Sequence, residues 1–436
     1  MKTFKMGGIH PLDHKHAKNA PIEVLPISKK VIVMMGQHIG IPATPVVKKG
    51  DKVLVGQLIG KAEAFVCANI HSPVSGVVNK VDWCKDASGI TRPAIYIDVE
   101  GDEWMPEIDR SPDIIRECKL EPKEIVEKIK EMGIVGLGGA TFPTHIKYSI
   151  PDGKKAEYLI INGVECEPYL TTDYRAMMER TERVLIGISI LRKALGGIPT
   201  MVGIESNKPR AIEFMTKKAA SFEGIKIVPL KMKYPQGAEK QLIDALTGRR
   251  IVEGKLPIDV GCVVSNIATA FAVYEAVQKN KPLIERLMTI TGRTLPAHHN
   301  YLVRIGTPLM DILNYAYDGL PEGITKVISG GPMMGRCISN LDSPVVKGSA
   351  SILMMPEEDS HRGIETNCIR CGRCVKACPM GLEPYMFSLL LHGDQVKKAA
   401  EYHLLDCIEC GSCQYSCPAN KPLLDEIRLG KTKLRR

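Results

Sequence analysis

Two stretches near the C-terminus read Cys368-Ile-Arg-Cys371-Gly-Arg-Cys374-Val-Lys-Ala-Cys378-Pro379 and Cys407-Ile-Glu-Cys410-Gly-Ser-Cys413-Gln-Tyr-Ser-Cys417-Pro418. Each spells C-x-x-C-x-x-C-x-x-x-C-P. Three thiolates at two-residue gaps wrap one face of an iron–sulfur cube, and the fourth cysteine, carried on by its proline, reaches the other cube. The spacing therefore predicts two 4Fe-4S clusters with crossed ligands. Cluster one takes Cys368, Cys371, Cys374 and Cys417; cluster two takes Cys407, Cys410, Cys413 and Cys378. Zinc prefers paired C-x-x-C knuckles to triplets. Tyr385 to His392 reads as a helix between the arrays, and the long gap predicts a helical two-cluster ferredoxin domain over 351–436. Cys67, Cys84, Cys118, Cys166, Cys262 and Cys337 follow no ligand spacing and are expected to be idle thiols.

Working outward, the 436 residues are enough for several domains, and 44% hydrophobic with 25% charged residues is ordinary globular usage. No run approaches the roughly 18 to 20 apolar residues of a membrane span, and the start, MKTFKMGGIHPLDHK, lacks the apolar core of a signal peptide. A soluble or peripheral, cytoplasmic protein is expected. The net charge of +9 is thinly spread, but residues 421–436 hold six basic against two acidic residues. That tail reads as a solvated helix end, with contact to anionic lipid or an acidic partner subunit as the alternative. There is no nucleophile motif, no P-loop and no basic–aromatic stripe, so no nucleic-acid partner is expected.

Residues 122–281 alternate helix and strand patterns: EPKEIVEKIKEM, AEYLIING, one long helix at DYRAMMERTERVLIGISILRKALG, TMVGIE, PRAIEFMTKKAA, KIVPL, GAEKQLIDALTG, VGCVVS and IATAFAVYEAVQKN. Such alternation predicts an α/β domain, over 111–284, whose ligands sit at the strand C-terminal ends. Those ends are 162–168, the loop around 234–236, and Ser265-Asn266. Before them, residues 31–110 carry short alternating runs and turns, an all-β unit behind an N-terminal arm at 1–30. Its wording, GDKVLVGQLIGKAEAFVCANIHSPVSGVV, resembles the biotinyl/lipoyl barrel-sandwich. Val66 stands at the place of the modifiable lysine, so a swinging-arm carrier is excluded. Residues 285–350 read as a compact α+β module with a helix at PLMDILNYA. His298-His299 within it reads as a surface turn, and His10, His14 and His16 as part of a flexible or docked arm, with metal binding as the alternative.

Two one-electron centres need a terminal, and the glycine-rich run Gly136-Leu137-Gly138-Gly139-Ala140-Thr141-Phe142-Pro143-Thr144-His145-Ile146-Lys147 is the candidate. It follows a helix, so it is no dinucleotide fingerprint. With three later segments, Asn162-Gly163-Val164-Glu165-Cys166-Glu167-Pro168 (then Asp173 and Arg175), Tyr234-Pro235-Gln236-Gly237-Ala238-Glu239, and Val264-Ser265-Asn266-Ile267-Ala268-Thr269, it resembles the flavin-bearing NADH-oxidising subunit of respiratory complex I. More closely, and over the whole chain, the sequence resembles the RnfC subunits of Rnf electron transport complexes. Domain order agrees, with the 285–350 module then a β-grasp (SLBB-like) unit.

The resemblance implies bound FMN and a nicotinamide nucleotide, NAD(H). It assigns them to Gly136, Gly138, Gly139, Phe142, Lys147, Asn162, Glu165, Tyr234, Glu239, Asn266 and Thr269. Bare glycine amides let a phosphate or ring approach, Lys147 supplies positive charge, and the polar side chains offer directional hydrogen bonds. Phe142 is placed to stack on a nucleotide ring, or else is a core residue. Leu137 and Val164 depart from the complex I pattern, which has an arginine and an acid there. The implied function is that of a peripheral subunit on the cytoplasmic face of a bacterial membrane, in an ion-translocating ferredoxin:NAD oxidoreductase. Membrane and iron–sulfur subunits of the same complex would be its partners, with ferredoxin reached indirectly. A flavin/iron–sulfur cobalamin reductase, or an electron-wire or scaffold subunit with a degenerate nucleotide site, are the alternatives.

Overall fold

The computed structural model describes residues 1–252 and 254–434. Residues 30–99 form the expected β sandwich. One sheet pairs Lys30–Met34, Thr91–Val99, Gly76–Lys85 and Lys52–Val53, and the other Thr44–Pro45, Leu58–Lys61 and Ile70–His71. Alternate residues turn inward, so Val31, Val33, Ile59, Val78, Ile95 and Ile97 share one core. The hairpin tip leaves Phe65 80% exposed while Cys67 is buried.

The α/β domain has a four-stranded parallel sheet in the order Ile225–Leu230, Thr200–Glu205, Tyr158–Gly163, Cys262–Asn266. Its strands are short apolar runs because helices cover both faces. The helices are α1 (Pro122–Glu131), α2 (Thr144–Tyr148), α3 (Thr172–Glu179), α4 (Thr181–Ala194), α5 (Pro209–Ala219), α6 (Glu239–Thr247) and α7 (Ile267–Lys279). The single long helix expected from Asp173 is two: Arg180, at φ −127, ends α3, and the Thr181 hydroxyl turns back onto the Met177 carbonyl. From the strand at Tyr158 the chain winds one way through the next two strands, then returns to the other side for Cys262–Asn266. The strand order thus reverses between Asn162 and Asn266, which makes a crevice at their C-terminal ends.

The third unit is a six-stranded mixed sheet with helix Leu309–Tyr317 against it. It recruits Ile22–Val24 from the N-terminal arm and Ser351–Pro356 from beyond residue 350. The expected surface turn at His298-His299 is not one: His299 opens strand His299–Arg304 and stacks on Tyr301, while His298 stacks on His16. The arm is docked. Lys2 bridges to Leu230, Phe4 is buried in the α/β core, Ile9 pairs with Tyr234, and Asn300 donates to the Ala17 carbonyl.

The C-terminal unit is helical, as the spacing requires, with Pro384–His392 packed on Leu423–Leu434 through Phe387, Leu390 and Ile427. Its basic tail is tied inward, Lys421 to Glu365, Lys431 to Glu409 and Lys433 to Asp394. Among the described residues no helix is long and apolar enough to cross a membrane.

Candidate functional site

The glycine-rich loop lies over the crevice. The Gly136 amide donates to the Phe142 carbonyl (2.8 Å), closing the loop, and the Leu137 amide donates to Thr269 Oγ1 (2.9 Å), tying it to the first turn of α7. Gly138 and Gly139 lie at its tip, Gly139 exposed, and Phe142 is half-buried. Gly139, at φ +124, faces open space, whereas a Cβ on Gly138 would sit 3.2 Å from Asn266. The backbone is thus bare on the side where a ligand would approach.

Asn266 joins the walls of the crevice. Its Oδ1 caps α7 at the Ala268 amide (2.8 Å), and its Nδ2 donates to the Asn162 carbonyl (3.2 Å) and to Asp173 Oδ2 (2.7 Å). Asn162 Nδ2 donates to the Gly237 carbonyl at 2.8 Å. Lys147 Nζ reaches Glu239 (2.7 Å) and the Val264 carbonyl (3.2 Å). Glu165, at φ +47, accepts the Asp173 amide on Oε1 (2.7 Å), while its buried Oε2 has no hydrogen-bond partner. Burial first, then the charge of Glu165, pushes the Asp173 carboxyl up to about 7.

An open glycine cradle, a half-exposed lysine and a carboxylate oxygen without a hydrogen bond, the Lys15 ammonium lying 3.9 Å from it, suit a ligand bearing both phosphate and hydroxyl groups. The residues present therefore fit a flavin nucleotide. Of the residues assigned to it, the structure gathers Gly136, Gly138, Gly139, Phe142, Lys147, Asn162, Glu165, Glu239, Asn266 and Thr269 along one chain of contacts and neighbouring segments. Tyr234 goes elsewhere: its hydroxyl donates to the Cys410 carbonyl at 2.8 Å.

Sequence reasoning missed the buried cations beneath these loops. Lys15 Nζ donates to the carbonyls of Glu165 (2.9 Å), Glu167 (2.9 Å) and Leu170 (2.7 Å), and Lys208 Nζ to those of Val164 (2.7 Å) and Glu165 (3.3 Å). Burial, then the neighbouring Lys208 charge, lowers Lys15 to about 8. Arg286, from the third unit, donates to the carbonyls of Ser349 (2.9 Å) and Leu137 (3.4 Å). A guanidinium thus reaches the backbone of the very loop that lacks the arginine of the complex I pattern. No local signal marks a lysine or arginine for burial, because each is satisfied by carbonyls far away in sequence.

Cys378 from the first array lines one cavity with Cys407, Cys410 and Cys413 from the second, among Leu382, Ile408, Leu424 and Ile427. Burial, and then the charges of the neighbouring thiols, Cys378 included, raises Cys407 to about 11 and raises Cys410 as well. Cys374 is likewise raised, chiefly by burial and in part by the charge of Cys417. Among the described residues no group of three or more His, Cys, Asp or Glu side chains is gathered closely enough for a single metal ion. Thiols spaced around a cavity fit a cube with an iron at each corner. The two sets differ in exposure: Cys378, Cys410 and Cys413 are buried, whereas Cys368 and Cys371 are exposed.

Comparison with known proteins gives three family matches: an RnfC barrel sandwich hybrid domain over residues 2–102, a Nuo51 FMN-binding domain over 129–275, and a 4Fe-4S dicluster domain over 367–421. Similar over full length is an RnfC-type protein of Clostridium ljungdahlii, from its proton-translocating ferredoxin:NAD(+) oxidoreductase complex, 50% identical across 100% of this chain and 94% of its own. Its counterpart in the ion-translocating oxidoreductase complex of Rhodobacter capsulatus is 43% identical across 100% of this chain and 84% of its own. That in the Na(+)-translocating ferredoxin:NAD(+) oxidoreductase complex of Acetobacterium woodii is 41% identical across 99% and 97%.

Proposed function

The chain belongs to the RnfC family, and on that premise we propose how its residues divide the work of one component of an ion-translocating ferredoxin:NAD(+) oxidoreductase. The protein carries electrons between NAD(H), FMN and two 4Fe-4S clusters. A bound flavin supplies the exchange between the electron pair of a hydride and the single electrons that a cubane accepts. The residues do the rest. The amides around Gly138 and Gly139 and the Lys147 ammonium receive the phosphate. Asn162, Glu165 and Asn266 orient the hydroxyls and ring edge, and Thr269 fixes the loop from behind. Phe142 and Glu239 border the nucleotide. The cysteines hold the clusters in the crossed sets given above.

The divisions 1–30, 31–110, 111–284, 285–350 and 351–436 serve as arm, spacer, flavin unit, β-grasp module of SLBB type and conductor, with Ile22–Val24 and Ser351–Pro356 counted to the module whose sheet they complete. The partners are membrane and iron–sulfur subunits of the same complex, with the chain held peripherally on the cytoplasmic face and ferredoxin served indirectly. One observation carries this reading: the unit whose cavity Cys378, Cys407, Cys410 and Cys413 line is bound to the α/β domain that bears the glycine cradle, Tyr234 donating to the Cys410 carbonyl (2.8 Å) and Gln241 to the Pro379 carbonyl (3.2 Å). The test is anaerobic addition of NADH to the reconstituted chain, followed by absorbance and EPR. Flavin bleaching followed by signals from two cubanes is expected. A chain that releases no flavin, or shows only one cubane, overturns the assignment.

A further inference from the structure

We infer that Tyr234 is a positioning residue for cluster two, its hydroxyl holding the Cys410 carbonyl and fixing the second cysteine loop against the α/β domain. The inference rests on the two-cluster reading and adds to it a group that no cysteine spacing contains.

Tyr234 is 2% exposed, and a phenol buried so deeply needs a partner. The partner is the carbonyl of a cluster ligand, at 2.8 Å. The ring cannot drift from it, because the Tyr234 backbone is clamped on both sides: its amide donates to the Ile9 carbonyl and its carbonyl accepts the Ile9 amide, each at 2.9 Å. Around the ring lie Ile9, Ala377 and Cys410, with Cys166, Met333 and Ile408 half-buried against them. The arm, the flavin unit, the third unit and both cysteine arrays therefore meet at one side chain. Glu167 is also within reach of the hydroxyl, and its Oε1 accepts the Met333 (2.7 Å) and Met334 (3.0 Å) amides. In the first array every residue from 361 to 373 is exposed, and the α/β domain's Gln241 meets that array at the Pro379 carbonyl, beside Cys378 (3.2 Å).

The orientation of the bond has a consequence for redox chemistry. An O–H aimed at a ligand carbonyl offsets the negative end of that carbonyl dipole, so it favours the more negative, reduced cluster. Without the hydroxyl, cluster two should become harder to reduce and cluster one should not change.

The experiment is an EPR-monitored redox titration of the full chain carrying Tyr234→Phe, beside the parent and a Cys371→Ser chain that marks the cluster-one signal. The expected result is a lower midpoint potential for the cluster whose signal Cys371→Ser leaves alone, with unchanged iron content and an unmoved cluster one. Equal potentials in Tyr234→Phe and parent overturn the inference, as does a shift confined to cluster one. If Tyr234→Phe fails to load cluster two, replacement of Tyr234 by 3-fluorotyrosine, a stronger donor of the same shape, must raise that cluster's potential, and no movement there overturns the inference too. A parent chain with well below roughly eight irons after reconstitution removes the two-cluster reading itself, and the inference with it.

Discussion

The two cysteine arrays share one spacing and live in opposite surroundings. Cys410 and Cys413 sit in a buried loop pressed on Tyr234 and Met333, while Cys368 and Cys371 lie in a wholly exposed segment. Spacing therefore decides what is bound, and neighbours decide how the bound group behaves. A buried cluster beside the flavin unit suits exchange inside the chain; an exposed one suits exchange with another protein.

The largest expected effect tests that contrast directly. Cys413→Ala and Cys371→Ala should each cost about half the iron, because each breaks one cube. Only Cys413→Ala should also lower the thermal midpoint sharply, since cluster binding is folding energy where the ligands are buried among Leu424, Ile427 and Ile408. Equal midpoints for the two variants, by scanning calorimetry under argon, would erase the distinction between docked and open arrays.

A smaller effect comes from the arm. Gly7 has φ +61, and a Cβ there would lie 2.3 Å from the Cys378 carbonyl oxygen. Gly7→Ala therefore meets both a left-handed backbone and a clash, and should destabilise by at least about 2 kcal/mol. The loss should appear in cluster two: faster bleaching of its signal by a chelator, with cluster one decaying as before. Identical decay of both signals would show that the arm does not guard the buried array.

Much of this arrangement is legible in the sequence. The α/β strands fall where the apolar runs lie, because Gly, Pro and Asn bound them, and the repeated cysteine motif predicts crossed ligand sets, of which the structure brings Cys378 beside Cys407, Cys410 and Cys413. What escapes is whatever depends on partners distant in the chain. Ile22–Val24 and Ser351–Pro356 join one sheet through parallel pairings with Asn300–Leu302 and Thr289–Thr291, which no local pattern announces. Lys15 and Arg286 look like surface residues until distant carbonyls close around them. Tyr234 sits in a motif that resemblance ties to flavin, yet its hydroxyl points at Cys410, because only the folded chain brings the arrays to it. The break at Arg180 leaves the apolar period of the two helices intact, so periodicity reads them as one.

On the docked side, Asn266 is the next probe. Asn266→Ala removes the cap of α7 and the donor to both Asp173 and the Asn162 carbonyl, a loss of about 2–3 kcal/mol. Flavin retained after gel filtration should fall, while both cluster signals keep their potentials. A change at cluster one instead would mean that the crevice and the open array are coupled.

The smallest effect is a pH slope that should belong to the docked side alone. Asp173 is raised from 3.8 to about 7, by burial first and by the charge of Glu165 second, with the Asn266 donor opposing. A carboxyl raised in the fold binds its proton more tightly folded than unfolded. Its contribution is therefore fully present below the unfolded value and is lost as pH rises through about 7. One such proton gives a slope of at most about 1.4 kcal/mol per pH unit. Asp173→Asn removes the titration while keeping the shape, although its amide must turn its oxygen toward the Asn266 Nδ2 donor. The difference in thermal midpoint between parent and Asp173→Asn should accordingly favour the parent least near pH 8 and progressively more toward pH 5.5. Glu365, in the exposed segment and paired with Lys421, supplies the control: Glu365→Gln leaves Asp173 and its neighbours untouched, so the slope should remain. A slope that survives Asp173→Asn but vanishes with Glu365→Gln would move the buried charge, and the contrast between the arrays with it, to the wrong side of the molecule.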